Sequence, residues 1–209
     1  LKNNIKKLQS LGYQCIGPDS GLLACGYEGQ GRLTDISKIK EEILALLNKQ
    51  ELLKGRRIIV TAGGTRERID DIRFIANRSS GKMGVSIAEA CFLKGADVLL
   101  LRSKNAVKPR YLIREETFET ADELTLLLKQ HAPTYNICFH TAAVSDFKIA
   151  AQEGKIPSEQ ALTLQLMPRK KIYREIKTNN PRIKLIAFKA EWKKSDKELE
   201  KHFKKSKIK

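Results

Sequence analysis

The chain has 209 residues, of which 41% are hydrophobic and 31% charged, and carries a formal net charge of +16. That length supports one good core, or one domain plus part of another, and its longest apolar runs, at 43–47 and 98–101, are far too short to span a bilayer. The charge invites a nucleic-acid partner, but the basic residues are dispersed outside a cluster at 169–171 and the C-terminal run, aromatics are only 6%, and no stacking motif is present.

In chain order, Leu1 stands where a Met would start a gene product, and the first residues hold no apolar signal core. With the closing run Lys204-Lys-Ser-Lys-Ile-Lys209, this leads to the expectation of a fragment. Residues 13–17 read as a short strand ending at Gly17-Pro18. Residues 18–33 are so rich in glycine that a structured loop is expected. Thr34 or Asp35 is placed to cap a helix whose Ile36, Ile39, Ile43, Leu46 and Leu47 share one face. The polar stretch 49–57 is the natural domain boundary. After it, strands are expected at 57–61, 97–101, 136–140 and 184–188, and helices at 83–94, 121–131 and 171–177. Apolar strands alternating with amphipathic helices predict an α/β fold, Rossmann-like, with a mostly parallel sheet and helices on both faces. Of the four cysteines, Cys15, Cys91 and Cys138 lie in apolar surroundings and are expected to be small buried hydrophobes. Wide spacing without C-x-x-C points to a reduced, cytoplasmic protein.

The densest signal runs from 58 to 84. An apolar β-branched strand feeds into Gly63, Gly64 and Thr65, and a second turn, Ser79-Ser80-Gly81, opens the next helix. Two such turns deliver backbone N–H groups to an anion, with Ser79 or Ser80 as the helix cap. Arg66, Arg73 and Asn77 lie between them. A plain strand-to-helix turn is the bland alternative. Further motifs follow two later strands: Thr141-Ala142-Ala-Val-Ser-Asp146 and Phe188-Lys-Ala-Glu191. In a parallel sheet the segments after the strands converge on one crevice.

Taken in order over residues 55–209, Thr61-Ala-Gly-Gly-Thr-Arg-Glu67, Ile69-Asp70, Arg73, Ile75, Asn77, Ser79-Ser-Gly-Lys-Met-Gly84, Ala142-Ala-Val-Ser-Asp146 and Phe188-Lys-Ala-Glu191 resemble the phosphopantothenoylcysteine synthetase domain of the bifunctional coenzyme A biosynthesis flavoproteins. Pro18-Asp-Ser-Gly-Leu-Leu-Ala-Cys-Gly26 and Gly29-Gln-Gly-Arg32 are similar to the end of the partner decarboxylase domain. The resemblance divides the chain into residues 1–54, a decarboxylase remnant plus linker, and residues 55–209, the synthetase domain.

What the resemblance implies is CTP-dependent ligation of 4′-phosphopantothenate with L-cysteine through an acyl-cytidylate, with Mg2+ and as a homodimer through the synthetase domain. FMN and decarboxylation belong to the missing flavin domain only, and neither membrane nor nucleic acid is a partner. It implies that Gly63, Gly64 and Thr65, with Ser80, Gly81, Thr141 and Ala142, hold the nucleotide. Asn77 would act on the acyl-phosphate or the carboxylate, and Lys155, in Gly154-Lys-Ile-Pro157, would ride a lid. Asp146 would bind Mg2+ or a nucleotide hydroxyl, Phe188 would pack on base or ribose, Lys201 and Lys205 would bind phosphate, and Cys25 would be the decarboxylase proton donor.

Departures from the pattern are Lys155-Ile-Pro-Ser158, where the family has K-I-K-K, and Met167-Pro-Arg-Lys-Lys-Ile172, where it has an N/T-P-D-I turn. Two other readings compete. A nicotinamide-dependent Rossmann oxidoreductase is weakened because the turn is not G-x-G-x-x-G and Leu100-Leu-Arg-Ser103 ends without an acid. A basic nucleic-acid-binding α/β module rests on the charge alone.

Overall fold

In the computed structural model, which describes residues 2–23, 25–48, 50–159 and 161–189, the N-terminal segment is more regular than its composition suggests. A polar helix α1 (Lys2–Ser10) comes first. The segment 13–17, expected as a strand, is irregular, and the expected loop at 18–33 is instead an antiparallel hairpin of β1 (Asp19–Leu22) and β2 (Glu28–Arg32). Strand pairing here comes from backbone bonds, which glycines can make as well as any residue, so side-chain patterning did not reveal it. Helix α2 (Ile36–Asn48) starts where Asp35 accepts a hydrogen bond from the Ser37 N–H at 2.9 Å, whereas Thr34 is buried and does not cap it. Its buried face is Glu42 and Ala45, and Ile36, Ile43, Leu46 and Leu47 are exposed.

The rest is built on one sheet. In chain order the elements are β3 (Arg57–Ala62), the short ribbon strands β4 (Arg66–Arg68) and β5 (Phe74–Ala76), α3 (Lys82–Leu93), β6 (Asp97–Ser103), β7 (Arg114–Phe118) and α4 (Ala121–His131). They are followed by β8 (Ile137–His140), a two-residue bridge of β9 (Phe147–Lys148) with β10 (Met167–Pro168), α5 (Ile172–Asn179) and β11 (Lys184–Ala187). Strands β11, β8, β3, β6 and β7 lie in that order, all parallel. The expected Rossmann-like sheet is therefore present, with one more strand than the sequence predicted.

Alternation along the strands explains why the sheet is covered on both faces. Ile58, Val60, Ala62, Val98 and Leu100 pack with Val85, Ala88 and Cys91 of α3. Ile59, Leu99, Leu101, Phe118 and Cys138 pack with Ala121, Leu124 and Leu128 of α4 and Ile172 and Ile176 of α5. Each fully buried aliphatic side chain contributes about 1.5–3 kcal/mol. Strand β7 was missed because Arg114-Glu-Glu-Thr carries almost no apolar signal; it is an edge strand anchored by Phe118 alone. Cys91 and Cys138 are buried as expected, but Cys15 is exposed, since the segment around it joins no packed layer. No helix among the described residues is long and apolar enough to cross a membrane.

Candidate functional site

The chain order places β6 and then β7 on one side of β3, and β8 and β11 on the other. The turning point lies between β3 and β8, and parallel sheets open a crevice there, at the carboxyl ends of the strands. The loops after these two strands extend their pairing. Gly64 bridges Ala143, the Ala143 N–H donates to the Gly63 carbonyl at 2.8 Å, and the Thr65 N–H donates to the Ala143 carbonyl at 3.2 Å. The Thr65 hydroxyl accepts from the Ser145 N–H at 3.0 Å.

Gly63 has φ +92°, and a Cβ there would fall 2.2 Å from the Ser103 hydroxyl oxygen and 2.8 Å from the Ala106 methyl. Gly81 has φ +74°, and its Cβ would strike the same methyl at 2.6 Å and approach the Gly63 nitrogen to 3.1 Å. The two glycine turns thus touch, which only residues without side chains allow. Gly81, rather than Ser79 or Ser80, is the N-cap of α3 and has no side chain to cap it, while the Ser80 hydroxyl accepts from the Lys82 N–H at 3.5 Å. The first N–H groups of a helix have no intrahelical partner, which suits such an end to an anion. Val107 donates its N–H to the Ser80 carbonyl at 3.1 Å, which ties this turn to the loop after β6.

Asn77 follows β5, and its amide donates to the Val144 carbonyl at 3.2 Å. Thr61 lies beneath the cluster: its hydroxyl accepts from the Ala142 N–H at 3.1 Å and lies 3.0 Å from His140 Nδ1. The hydroxyl and Nδ1 share a hydrogen bond whose direction follows the imidazole tautomer. Burial pushes the His140 pKa down to about 4, so the ring is neutral at neutral pH. The Thr141 hydroxyl donates to the Thr61 carbonyl.

Gly63, Gly64, Thr65, Asn77, Thr141 and Ala142 therefore form one bonded cluster, with Gly81 packed against Gly63. Phe188 stands beside it, its N–H reaching the His140 carbonyl at 3.4 Å, and its ring is 49% exposed rather than part of the core. Lys155 is exposed in the loop after β9. Cys25 is exposed in the β1–β2 turn, outside this cluster. Lys201, Lys205 and Glu191 lie outside the described residues.

Sequence reasoning overlooked the polar frame. Asp70, 1% exposed, accepts from the N–H groups of Ile72 (2.8 Å), Arg73 (2.6 Å) and Ile156 (3.2 Å). Burial raises its pKa, but these bonds and the Arg73 charge outweigh it and hold the carboxyl below its ordinary range. Buried Glu67 accepts from the Ala121 N–H and pairs at 3.0 Å with Arg169, which also pairs with Asp122. The Arg169 N–H donates to the Asp146 carbonyl at 2.8 Å, and Lys171 forms an ion pair with the Asp146 carboxylate. The cluster at 169–171 thus secures the Asp146 loop. A hollow of about 350 Å3 beside it is lined by Asp122, Lys148, Arg169 and Lys170, with Asp122 already paired to both Arg169 and Lys148. Among the described residues no three His, Cys, Asp or Glu side chains converge as a metal cage, and Asp146 is neutralised by Lys171. The described residues therefore offer no ready-made cage for Mg2+.

Residues 53–209 match the family model described as the DNA/pantothenate metabolism flavoprotein C-terminal domain. The chain is 39% identical over 202 residues to a coenzyme A biosynthesis bifunctional protein CoaBC of Thermococcus kodakarensis, covering 95% of this chain and 48% of that protein. It thus spans about half the length of the curated relatives it matches. Among solved structures it is similar to the DNA/pantothenate metabolism flavoprotein from Streptococcus pneumoniae (TM-score 0.67, 26% identity, 74% of this chain and 78% of that one). It is also similar to the C-terminal domain of a CoaBC protein (TM-score 0.63, 30% identity, 74% of each chain).

Proposed function

The chain belongs to the family of the DNA/pantothenate metabolism flavoprotein C-terminal domain, and on that premise we propose that it is a phosphopantothenate–cysteine ligase of coenzyme A biosynthesis that uses CTP. The observation that carries this reading is the contact between the two glycine turns at the β3–β8 crevice, with Asn77 bonded into the same loop cluster.

A carboxylate resists attack by an amine at neutral pH and must be activated. In the reaction proposed, a carboxylate oxygen of 4′-phosphopantothenate attacks the α-phosphorus of CTP and pyrophosphate leaves. The cysteine amine then attacks the acyl carbon, CMP departs with that oxygen, and the amine proton is lost. Negative charge grows on the phosphoryl oxygens and then on the acyl oxygen. Fixed backbone dipoles stabilise such charge without reorganising. Gly63, Gly64, Thr65, Ser80 and Gly81 supply these groups with the amino end of α3, and Thr141 and Ala142 form the facing wall. Asn77 directs its amide to the acyl-phosphate centre, and Lys155 brings its charge to the same centre. Phe188 offers a face to the base or ribose, Asp146 a carboxylate to a nucleotide hydroxyl, and Lys201 and Lys205 charge to the phosphates. Mg2+ enters as the counter-ion of the triphosphate, part of the substrate.

The similarity over 95% of the chain supports reading residues 1–54 as the end of a decarboxylase domain, with Cys25 its proton donor and FMN held by the rest of that domain. Work in the cytoplasm as a homodimer completes the proposal. A thermal-shift series tests it. A ligand at a hundredfold excess over its Kd stabilises the folded state by about 2.7 kcal/mol, so saturating Mg·CTP raises the melting temperature by several degrees and NAD+ leaves it unchanged. A shift with NAD+ and none with CTP overturns the reading in favour of a nicotinamide enzyme.

A further inference from the structure

The loop that carries Lys155 is bonded at several points to the segment just before Asn77. The Ile156 N–H donates to Asp70 Oδ2 at 3.2 Å, and the Arg73 guanidinium donates to the Ile156 carbonyl at 3.2 Å. The Gly154 N–H donates to Asp71 Oδ2 at 2.9 Å, the Asp71 N–H returns a bond to the Gly154 carbonyl at 3.1 Å, and the Gln152 N–H donates to the Ile69 carbonyl at 2.9 Å. Five bonds thus hold residues 152–156 to residues 69–73, on both sides of Lys155.

The division of labour at Asp70 is informative. Its Oδ1 accepts from Ile72 and Arg73 and shapes its own turn, while Oδ2 reaches the Lys155 loop and lies 3.5 Å from the Arg73 guanidinium. Asp71 divides in the same way, Oδ1 pairing with Arg68 and Oδ2 accepting from Gly154. A buried carboxylate that meets a distant loop amide would leave both groups unsatisfied if the loop moved away.

Resting on the ligase reading above, we infer that Asp70 and Asp71, with Arg73, form a latch that sets the Lys155 loop before substrate arrives. They are positioning residues. The latch ties the loop to the segment that ends in β5 and Asn77, so the two groups proposed to act on the acyl-phosphate are fixed to one another by the protein and not by the ligand. Pre-set geometry of this kind acts on the chemical step rather than on nucleotide binding.

Two variants test it. Asp71→Ala removes an exposed side chain, and Asp70→Asn keeps shape and the Oδ1 bonds while replacing the acceptor facing Ile156. Hydrogen exchange of the free chain is read at the Gly154 and Ile156 amides, with kcat and the KM for CTP measured alongside. The loss of one hydrogen bond predicts exchange faster by roughly three- to tenfold at these amides. A comparable fall in kcat is expected, with KM for CTP unchanged. Exchange at wild-type rates in both variants overturns the latch, as does faster exchange with unchanged kcat in an active enzyme. The exchange measurement does not depend on ligation: faster exchange in a chain that never ligates leaves the latch standing and removes the function, whereas normal exchange with altered turnover does the reverse.

Discussion

Asn77 is an exposed side chain whose amide makes one bond, to the Val144 carbonyl. Its loss should cost only about 1 kcal/mol of stability, so a large kinetic effect would have to come from the reaction itself. Asn77→Ala is expected to lower kcat at least about tenfold while CTP binding, read by calorimetry, changes little, as for a group that acts only at the reacting centre. Ligation at the wild-type rate would reduce Asn77 to a tie between two loops. His140 makes a different prediction. Its pKa is lowered from 6.5 to about 4 by burial, so the folded state disfavours the charged ring. The unfolded chain takes up the proton first as pH falls. Stability is therefore whole above pH 6.5 and declines between pH 6.5 and pH 4, by on the order of 3 kcal/mol in total. An NMR titration of the imidazole checks this; a midpoint near 6.5 would contradict the buried, Thr61-bonded ring.

At the scale of elements, the junction of β10 with α5 shows how a change of sequence can be absorbed. Where the resembling family carries an acid, this chain has Met167-Pro-Arg-Lys-Lys, and Arg169 turns inward to neutralise buried Glu67 at the end of the Gly63–Thr65 segment. Removing one member of a buried pair strands the other. Arg169→Met is thus expected to cost about 3 kcal/mol in urea unfolding, and an unchanged midpoint would show that Glu67 does not need its partner. Sequence patterning revealed the buried strands well: β3, β6 and β8 are apolar because both faces of a parallel sheet are covered. It found the edge strand β11 but failed at the opposite edge and in the small ribbons. Strand β7 is polar, the β1–β2 hairpin is glycine-rich, and β4 and β5 are three residues each, so none presents the period that buried side chains impose.

Over the whole molecule, charge said little about function, because the acidic residues that pair the basic cluster at 169–171 lie far away in sequence: Glu67 with Arg169, Asp146 with Lys171. The crevice was legible because its parts follow strands, and strand order then brings Gly63 to Ala143 across the switch point. Its polar frame was not legible. Asp70 to Ile156 and Arg73 to Ile156 are contacts between loops, which no local period encodes. The account's central claim is that this crevice activates a carboxylate with a nucleotide. The purified chain is incubated with Mg·CTP, L-cysteine and 4′-phosphopantothenate carrying heavy oxygen in its carboxylate, and the products are weighed by mass spectrometry. The account predicts phosphopantothenoylcysteine together with CMP that has gained one labelled oxygen, since the carboxylate oxygen that attacked phosphorus leaves with it. Product formed alongside unlabelled CMP would contradict it.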